Sequence, residues 1–472
     1  MTATTTSSTV PTLGFKTLEQ ETTIAQLPLD GELPAWLTGS LLRTGPAKFE
    51  IGEQRMRHWF DGLAMLHRFT VADGQVAYGS RFLESRSYRA AQAEGRMVYG
   101  EFATDPCRSL FKRVQSLFSA EGPLPDNANV NVMRLGERFV AMTETPLPVQ
   151  FDPQTLAAAE VRPFEVPGEL STAHPHMNRA DGGMLNYAAK LGPRSSYRFF
   201  HVAPDAHKGR ILGSLATKEP AYMHSFGLTE RWLVLVEFPF VVNPLKLALA
   251  GRPYIENYRW KPELGTRFTL IDRHSGEATG GFQTDACFAF HHVNAYEDGD
   301  EVLVDLCAFG DAGVIEDLYL ERLRAGKPVA SPELTRFRLR PATRSVSRER
   351  LSDVEIELPR INYMRCNERP YRYVWGVGNG PSGWLERIVK IDTEDGSALE
   401  WSQPGCFAGE PVFVARPDAA EEDDGVLLSV VLDVEAERSM LLVLDAGNLS
   451  EIARAEVPHH IPFGFHGQFA RS

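Results

Sequence analysis

The chain has 472 residues, of which 43% are hydrophobic and 24% charged, and its formal net charge is −13. This composition is typical of a globular protein, and the acidic balance, without clustered basic residues, argues against nucleic-acid binding. No stretch reaches the roughly 18 consecutive apolar residues that a membrane-spanning helix needs.

The first residues, MTATTTSSTVPTLG, lack the basic and apolar regions of a secretory signal. We therefore expect residues 1–14 to form a disordered lead and residues 15–472 to form a single domain. The cysteines are scattered and include no Cys-x-x-Cys pair: Cys107, Cys287, Cys307, Cys366 and Cys406. A sparse, odd set of this kind is typical of reduced thiols, so we expect a cytoplasmic location.

Short β-branched runs closed by turn residues recur along the chain, as in RFVAMTET, RWLVLVEF and SMLLVLDA. Four such runs end in an aspartate that precedes a polar turn: Asp152, Asp272, Asp392 and Asp445. An aspartate there can accept hydrogen bonds from the turn backbone and fix a hairpin corner. Because strand–turn–strand units fill the chain, we predict an all-β fold. A propeller of radial four-stranded sheets suits the length, with a pair of β-sandwiches as the alternative.

Two segments interrupt the strand pattern. In PCRSLFKRVQSLFSA, residues 106–120, apolar residues recur at helical spacing with Arg108, Lys112 and Arg113 among them. Residues 244–249, PLKLAL, form a second apolar segment with one lysine. The spacing in residues 106–120 predicts a helix there, and residues 244–249 are an apolar protrusion between strands.

Four histidine positions lie beside small or apolar residues at strand-like ends, in TAHPHMN, YMHSFGL, FAFHHVN and FGFHGQF. The histidines are His174, His224, His291 (or its neighbour His292) and His466. Their wide separations fit no compact zinc motif, so a shared site would have to be assembled by the fold, as at a propeller axis. Neutral imidazoles suit Zn, Cu, Fe or Ni.

Three glutamates stand in apolar, strand-like contexts: Glu144, Glu357 and Glu410. Histidines that bind a metal normally donate their second ring N–H to a carboxylate or carbonyl. Each glutamate alone is more typical of a surface or turn residue. The three glutamates together with the four histidine positions indicate a metal centre.

Seven stretches, taken in chain order, resemble the carotenoid cleavage oxygenases: LLRTGPAKFE, HWFDGLAMLH, TAHPHMN, MHSFGLTE, FHHVNAYEDGDEVLVDLC, EPVFVARPDAAEEDDGVLLSVVLD and FGFHG. The resemblance extends from about residue 15 to the end. It is strongest to the branch of the animal β-carotene oxygenases and the retinal-pigment-epithelium retinoid isomerase, while the Ala-rich chain with short connections resembles a bacterial member. The resemblance implies a seven-bladed β-propeller with a helical and loop cap over its top face.

The resemblance also implies a non-haem Fe²⁺ on the propeller axis, bound by four histidines without a carboxylate ligand. The matching positions are His174, His224, His291 and His466, because the family's ligand in FHHVN is the histidine three residues before the asparagine. Glu144, Glu357 and Glu410 match the glutamates that orient three of the histidines. His58 and His67, in HWFDGLAMLH, are structural in this family.

The activity implied is cleavage of a conjugated double bond of a carotenoid or apocarotenoid by O₂, which gives aldehydes. One alternative is a stilbenoid-cleaving enzyme, whose pocket binds a phenol through polar residues that include a lysine; residues 120–148 contain no lysine. A second is a retinoid isomerohydrolase on the same iron centre. A third is a non-catalytic propeller that binds partners, against which the four intact ligand positions argue.

A carotenoid is nearly absent from bulk water. We therefore expect the protein to take its substrate from a membrane surface without spanning the bilayer. An amphipathic helix with basic residues suits such a surface, and the family has membrane-facing apolar segments in both regions. We therefore predict a membrane-facing patch at the mouth of the substrate tunnel, formed by Leu110, Phe111, Val114, Leu117, Phe118, Leu245, Leu247 and Leu249. The alternative is an ordinary helix packed on the propeller.

Overall fold

The computed structural model describes residues 10–105, 124–161, 163–166, 168–249 and 252–471. Across these residues, seven antiparallel sheets of four to six strands follow one another along the chain. Consecutive strands are neighbours within each sheet, which is the connectivity of propeller blades. The fold is a seven-bladed β-propeller, as the sequence and the resemblance predicted.

Each blade extends from an outer edge to an inner edge that faces the propeller axis. In that order, blade 1 contains Thr22–Ile24, Gln75–Phe82, Leu63–Ala72, Gly39–Lys48 and Gly467–Arg471. Blade 2 contains Ala158–Val161, Val149–Phe151, Arg138–Met142 and Asn131–Leu135. Blade 3 contains Arg210–Thr217, Ser195–Val202 and Met184–Lys190, followed by Leu170–Ser171 and His176–Met177 on one edge. Blade 4 contains Ala278–Thr284, Thr266–Asp272, Trp232–Glu237 and Gly227–Leu228.

The remaining three blades follow the same order. Blade 5 contains Ser345–Glu355, Glu333–Arg340, Glu301–Ala308 and His292–Asp298. Blade 6 contains Ala398–Ser402, Leu385–Asp392, Tyr373–Asn379 and Glu357–Arg360. Blade 7 contains Leu29–Gly31, Glu451–Glu456, Arg438–Asp445 and Gly425–Asp433, followed by Cys406–Ala408 and Val412–Ala415 on one edge. Two short pairs lie outside the blades: Glu50–Ile51 with Gln54–Arg55, and Phe240–Val241 with Arg259–Trp260.

Short helices lie in the connections between strands. Among the described residues, the α-helices are Arg86–Glu94, Pro244–Leu249, Val314–Asp317, Leu320–Arg324 and Tyr363–Cys366. The 3₁₀ turns are Thr12–Phe15, Trp59–Asp61, Ile255–Asn257 and Pro262–Leu264. The first α-helix has ordinary ends: the Ser85 hydroxyl accepts a hydrogen bond from the Tyr88 N–H at 3.1 Å, and Gly95 ends it with a φ of 63°.

Both ends of the chain close the ring of blades. The strand Leu29–Gly31 pairs with Glu451–Glu456 in blade 7, and the strand Gly467–Arg471 pairs with Gly39–Lys48 in blade 1. Blade 7 is therefore completed by an early strand and blade 1 by the last one. Because Gly467–Arg471 is held by sheet hydrogen bonds, the residue before it, His466, has a fixed position.

The aspartate corners form as predicted. In each of the four, an Oδ1 oxygen accepts a hydrogen bond of 2.9–3.0 Å from the backbone N–H two residues further on. The fourth residue after the aspartate has a positive φ; it is glycine in two corners and Leu156 or Leu449 in the others. Both leucines are at least 95% buried, and this burial offsets the strain of a left-handed leucine.

Residues 10–14, which the sequence assigns to a disordered lead, have a defined position. Thr12–Phe15 form a 3₁₀ turn, and Val10, Gly14 and Phe15 are buried. The aromatic ring of Phe15 packs against Trp59, Trp384 and Phe463. Residues 10–14 therefore belong to the domain, because they pack together with Phe15 at this aromatic cluster.

Candidate metal centre

Four histidines from four blades meet at the inner edges of their sheets. His466 precedes the inner strand of blade 1, His174 lies between the two inner segments of blade 3, and His224 and His291 precede the inner strands of blades 4 and 5. The nitrogen atoms that they could offer to a metal all lie within 4.8 Å of one another. Residues separated by up to 292 positions in the chain thus form one cluster, because the inner strands of a propeller converge on its axis.

The imidazole nitrogens face each other directly. The Nε2 atoms of His174 and His224 are 2.9 Å apart, and those of His291 and His466 are 3.1 Å apart. His224, His291 and His466 are between 4% and 7% exposed. His174 is partly buried, so the four rings surround a small space that is largely shielded from bulk solvent.

A glutamate holds the other ring nitrogen of three of the histidines. Glu144 Oε1 lies 2.7 Å from His224 Nδ1, Glu357 Oε2 lies 2.5 Å from His291 Nδ1, and Glu410 Oε1 lies 2.6 Å from His466 Nδ1. A carboxylate accepts a hydrogen bond from Nδ1–H, which leaves the Nε2 lone pair of each of these rings directed at the other histidines. This is the arrangement that metal-binding histidines have in proteins.

The electrostatics favour neutral rings. Burial, reinforced by the neighbouring imidazoles, holds the pKa of His174 well below its ordinary value, and burial lowers the pKa of His466 to about 4. Burial alone would raise the pKa of Glu410, but Arg360 and His466 outweigh it and hold that pKa below its ordinary value. Lone pairs on neutral nitrogens about 3 Å apart repel each other unless a cation lies between them. The histidine set therefore fits a divalent metal of the kind that imidazole prefers.

Each of the seven blades contributes one side chain to the centre, either one of the four histidines or one of the three glutamates. In blade order they are His466, Glu144, His174, His224, His291, Glu357 and Glu410. Glu144 follows the strand Arg138–Met142, Glu357 begins the inner strand of blade 6, and Glu410 lies between the two inner segments of blade 7. The structure thus brings together every residue that the sequence proposed for the centre, and their roles as ligands and orienting groups stay predictions.

Two further side chains support the glutamates, and sequence reasoning missed both. The Tyr222 hydroxyl donates to Glu144 Oε1 at 2.8 Å, and Arg360 donates to Glu410 Oε2 at 2.9 Å. Tyr222 lies two residues before His224, and residues two apart in a strand-like sequence share a face, so this spacing was a usable signal. Arg360 lies 50 residues from Glu410 and carries no such local signal.

His292, His58 and His67 lie outside the cluster. His292 Nδ1 bonds to Ser225 Oγ at 2.8 Å, so it points away from the space that His291 faces. His58 Nε2 bonds to the backbone oxygen of Ile315 at 3.0 Å, and His67 Nδ1 bonds to the Tyr78 hydroxyl at 2.9 Å. The rings of His58 and His67 connect parts of the fold, in agreement with the structural role expected for them.

Comparisons with known proteins decide the family. The family model described as retinal pigment epithelial membrane protein matches residues 15–471. The chain is 35% identical to a mitochondrial carotenoid-cleaving dioxygenase of Macaca fascicularis, over 93% of this chain and 90% of that protein. It is 34% identical to a β,β-carotene 15,15'-dioxygenase of Mus musculus, over 94% of this chain and 88% of that protein.

The chain belongs to the carotenoid oxygenase family. The crystal structure of a cobalt-substituted apocarotenoid oxygenase from Synechocystis is similar to it, with a TM-score of 0.83, 28% identity and 98% of both chains covered. The resemblance to the family is therefore confirmed, and so is the propeller that it implied; the resemblance to a bacterial member stays a prediction.

In this carotenoid oxygenase, a cavity of about 280 Å³ adjoins the histidine cluster. His224, His291 and His466 form part of its wall, and aromatic side chains form much of the rest: Trp59, Phe60, Phe102, Tyr254, Phe290, Phe309, Trp384 and Phe465. Many of these residues lie in connections between strands, which together form the expected cap. Within the described part of the chain, no lysine or arginine lines the cavity.

The predicted membrane-facing patch is only partly described. Leu110, Phe111, Val114, Leu117 and Phe118 lie outside the described residues, as does the side chain of Leu249. Residues Pro244–Leu249 form a short helix, with Leu245 60% exposed and Leu247 packed partly against the core. Among the helices that the structure describes, none is long and apolar enough to cross a membrane.

Proposed function

We propose that this carotenoid oxygenase is an iron-dependent dioxygenase that cleaves a conjugated double bond of a carotenoid or apocarotenoid. The observation that carries the proposal is the convergence of four imidazole nitrogens at the wall of an aromatic cavity. The names of the relatives, a carotenoid-cleaving dioxygenase and a β,β-carotene dioxygenase, support the substrate class and the use of O₂.

His174, His224, His291 and His466 would hold one Fe²⁺ ion. When bound, the ion would supply the activation of O₂ that splits an alkene into two carbonyl groups. The four imidazoles are neutral ligands, so the ion keeps its positive charge, which Glu144, Glu357 and Glu410 balance in part from 2.5–2.7 Å behind three of the rings. These glutamates also fix the tautomers, so that the Nε2 lone pairs stay available.

The cavity residues bind and orient the polyene. Phe60, Phe290 and Phe465 form a connected set, with ring centroids 5.8 Å apart between Phe60 and Phe290 and 5.1 Å apart between Phe60 and Phe465. Aromatic faces suit a flat conjugated chain and exclude water from the space beside the histidines. The chain supplies geometry and desolvation, and the cleavage requires no side-chain acid or base.

We also propose that the protein collects its substrate at a membrane surface. A carotenoid is nearly insoluble in water, and Leu245 is a large exposed apolar residue beside the exposed Lys246. The helix Pro244–Leu249 lies in the same connection as Tyr254, which lines the cavity. An apolar side chain next to a cation suits the boundary between headgroups and acyl chains.

The test is product analysis. The iron-loaded protein is incubated with β-carotene and with apocarotenals in the presence and absence of O₂, and products are identified by mass spectrometry. The proposal expects two carbonyl products per cleaved polyene, formed only with O₂. Isomers without scission would indicate the isomerohydrolase reaction instead, and cleavage confined to stilbenoids would indicate the stilbenoid reaction.

A further inference from the structure

A buried carboxyl group lies in the wall of the cavity and takes no part in the metal centre. Glu101 is 9% exposed and lines the cavity together with His224 and His291. Its Oε1 atom is buried and has no hydrogen-bond partner within the described residues. A buried polar atom left without a partner costs about 1–3 kcal/mol, so native structures nearly always supply one.

The two acidic neighbours of Glu101 have their partners within the chain. Asp61 accepts hydrogen bonds from the His58 and Ala103 backbone N–H groups, both at 2.9 Å. Asp126 accepts from the Arg86 and Ser87 backbone N–H groups at 2.9 and 2.8 Å. These two carboxylates stabilise the cap. Glu101 differs from these two carboxylates, because one of its oxygens has no partner among the described residues and lies in the wall of the cavity. Glu357 Oε1, also in the wall, has no partner either, but the other oxygen of Glu357 holds His291.

The charge state of Glu101 decides what it can bind. Burial, together with the nearby carboxylate of Asp61, raises the pKa of Glu101 well above its ordinary value. The raised pKa favours the protonated form, in which the carboxyl group donates a hydrogen bond through its O–H. Its natural partner in a largely apolar cavity is an oxygen atom with a lone pair.

A series of aromatic rings connects the part of the cavity wall near Glu101 with the histidine cluster. Phe102, the next residue, lies 5.1 Å from Phe60 between ring centroids, and Phe60 lies 5.8 Å from Phe290. Phe290 in turn lies 5.3 Å from the ring of His224. A conjugated chain along this wall would have one part beside the histidine cluster and another beside Glu101.

We propose that Glu101 donates a hydrogen bond to a hydroxyl or carbonyl oxygen at one end of the substrate, so that the protein prefers oxygenated carotenoids and apocarotenoids to hydrocarbons. The contact also fixes how far the polyene extends past the metal centre, and thereby which double bond is cleaved. This inference rests on the proposed function, because it names the substrate class of the same site.

The test compares two substrates that differ in oxygen content, β-carotene and its ring-hydroxylated derivative zeaxanthin, with wild type, Glu101→Met and Glu101→Gln. Methionine has a similar length and no donor, and glutamine keeps a donor. A neutral hydrogen bond is worth up to about tenfold in an equilibrium or rate constant. We expect wild type to favour zeaxanthin by about tenfold in kcat/KM, with Glu101→Met losing this preference and Glu101→Gln keeping most of it.

The matched control is Glu237→Gln. Glu237 is also a buried carboxylate, 6% exposed, but it pairs with Arg267 at 3.1 Å in blade 4 and does not line this cavity. We expect it to leave the substrate ratio unchanged. A wild type without preference for zeaxanthin, or a folded Glu101→Met protein with the wild-type ratio, overturns the inference. If wild type cleaves β-carotene and zeaxanthin equally well, only the role of Glu101 fails; if it cleaves no polyene at all, the proposed function fails as well.

Discussion

Glu410 Oε1 lies 2.6 Å from Nδ1 of His466. This contact joins the last blade to the C-terminal strand, which is paired into the first blade. The other carboxylate oxygen of Glu410 accepts the backbone N–H of Gly467 at 2.9 Å. One buried carboxylate therefore holds the fourth histidine and stabilises the closure of the ring of blades at the same time.

Replacing this carboxylate should affect both properties. We expect Glu410→Gln to weaken iron binding about 10–100-fold, as loss of an orienting group usually does. The metal-free variant should also lose about 3 kcal/mol of unfolding free energy, because Arg360 and His466 lose a buried anionic partner. Iron titration and chemical unfolding of the metal-free protein measure the two effects.

Glu144→Gln and Glu357→Gln are the comparison variants, since each holds a histidine but not the C-terminal strand. We expect iron binding to weaken about 10–100-fold in both, with a smaller loss of stability than in Glu410→Gln. Iron affinity equal to that of wild type in all three variants would remove the glutamates from the centre.

The buried ring of His58 predicts a dependence of stability on pH. Burial lowers the pKa of His58 to about 3 in the folded protein, whereas an unfolded histidine has a pKa of about 6.5. Between these values the unfolded chain binds the extra proton, so the contribution of His58 is complete above about pH 6.5 and is lost as the pH falls. The loss is at most about 1.4 kcal/mol per pH unit.

Unfolding of wild type and His58→Gln at about pH 7 and about pH 5 isolates this contribution. The variant should be less stable at the higher pH, because it disturbs the bonds of the ring to Phe60 and Ile315. Its deficit relative to wild type should shrink at the lower pH. A deficit that stays constant would mean that His58 does not titrate on unfolding in this range.

Membrane binding should depend on Leu245. Leu245→Asp places a charge where we expect the acyl boundary, so the fraction of protein that sediments with anionic liposomes should fall by about half or more. Leu399→Asp is the control, since Leu399 is 46% exposed on the strand Ala398–Ser402 of blade 6. Equal losses in the two variants would show that position 245 has no special role. The same assay applies to Phe111→Asp combined with Leu117→Asp.

The sequence predicted local features of the fold well. The corners at Asp152, Asp272, Asp392 and Asp445 were recognisable because the aspartate and the turn that it caps are neighbours in the chain. The pairing of Leu29–Gly31 with blade 7 was not recognisable, since its partner strand lies more than 400 residues away. Periodicity indicated the class of fold, and the number of blades came from the resemblance.

The candidate centre shows the same division. His224 and Glu144 were singled out by their unusual local contexts. Neighbouring residues of an extended strand face opposite sides, so only one of His291 and His292 could face the axis, and the local pattern did not show which one. Arg360 and Glu101 were missed, since what sets them apart is a partner, or the lack of one, that only the folded chain creates.

The central claim is that four histidines hold the iron, and His291 and His292 allow the most direct measurement. They are adjacent, His291 is buried and His292 is partly buried, and only His291 belongs to the cluster. Iron content is measured in His291→Ala and His292→Ala proteins purified in parallel with wild type. We expect roughly one Fe²⁺ per chain in wild type and in His292→Ala, and almost none in His291→Ala. Iron retained in His291→Ala and lost from His292→Ala would contradict the proposed centre.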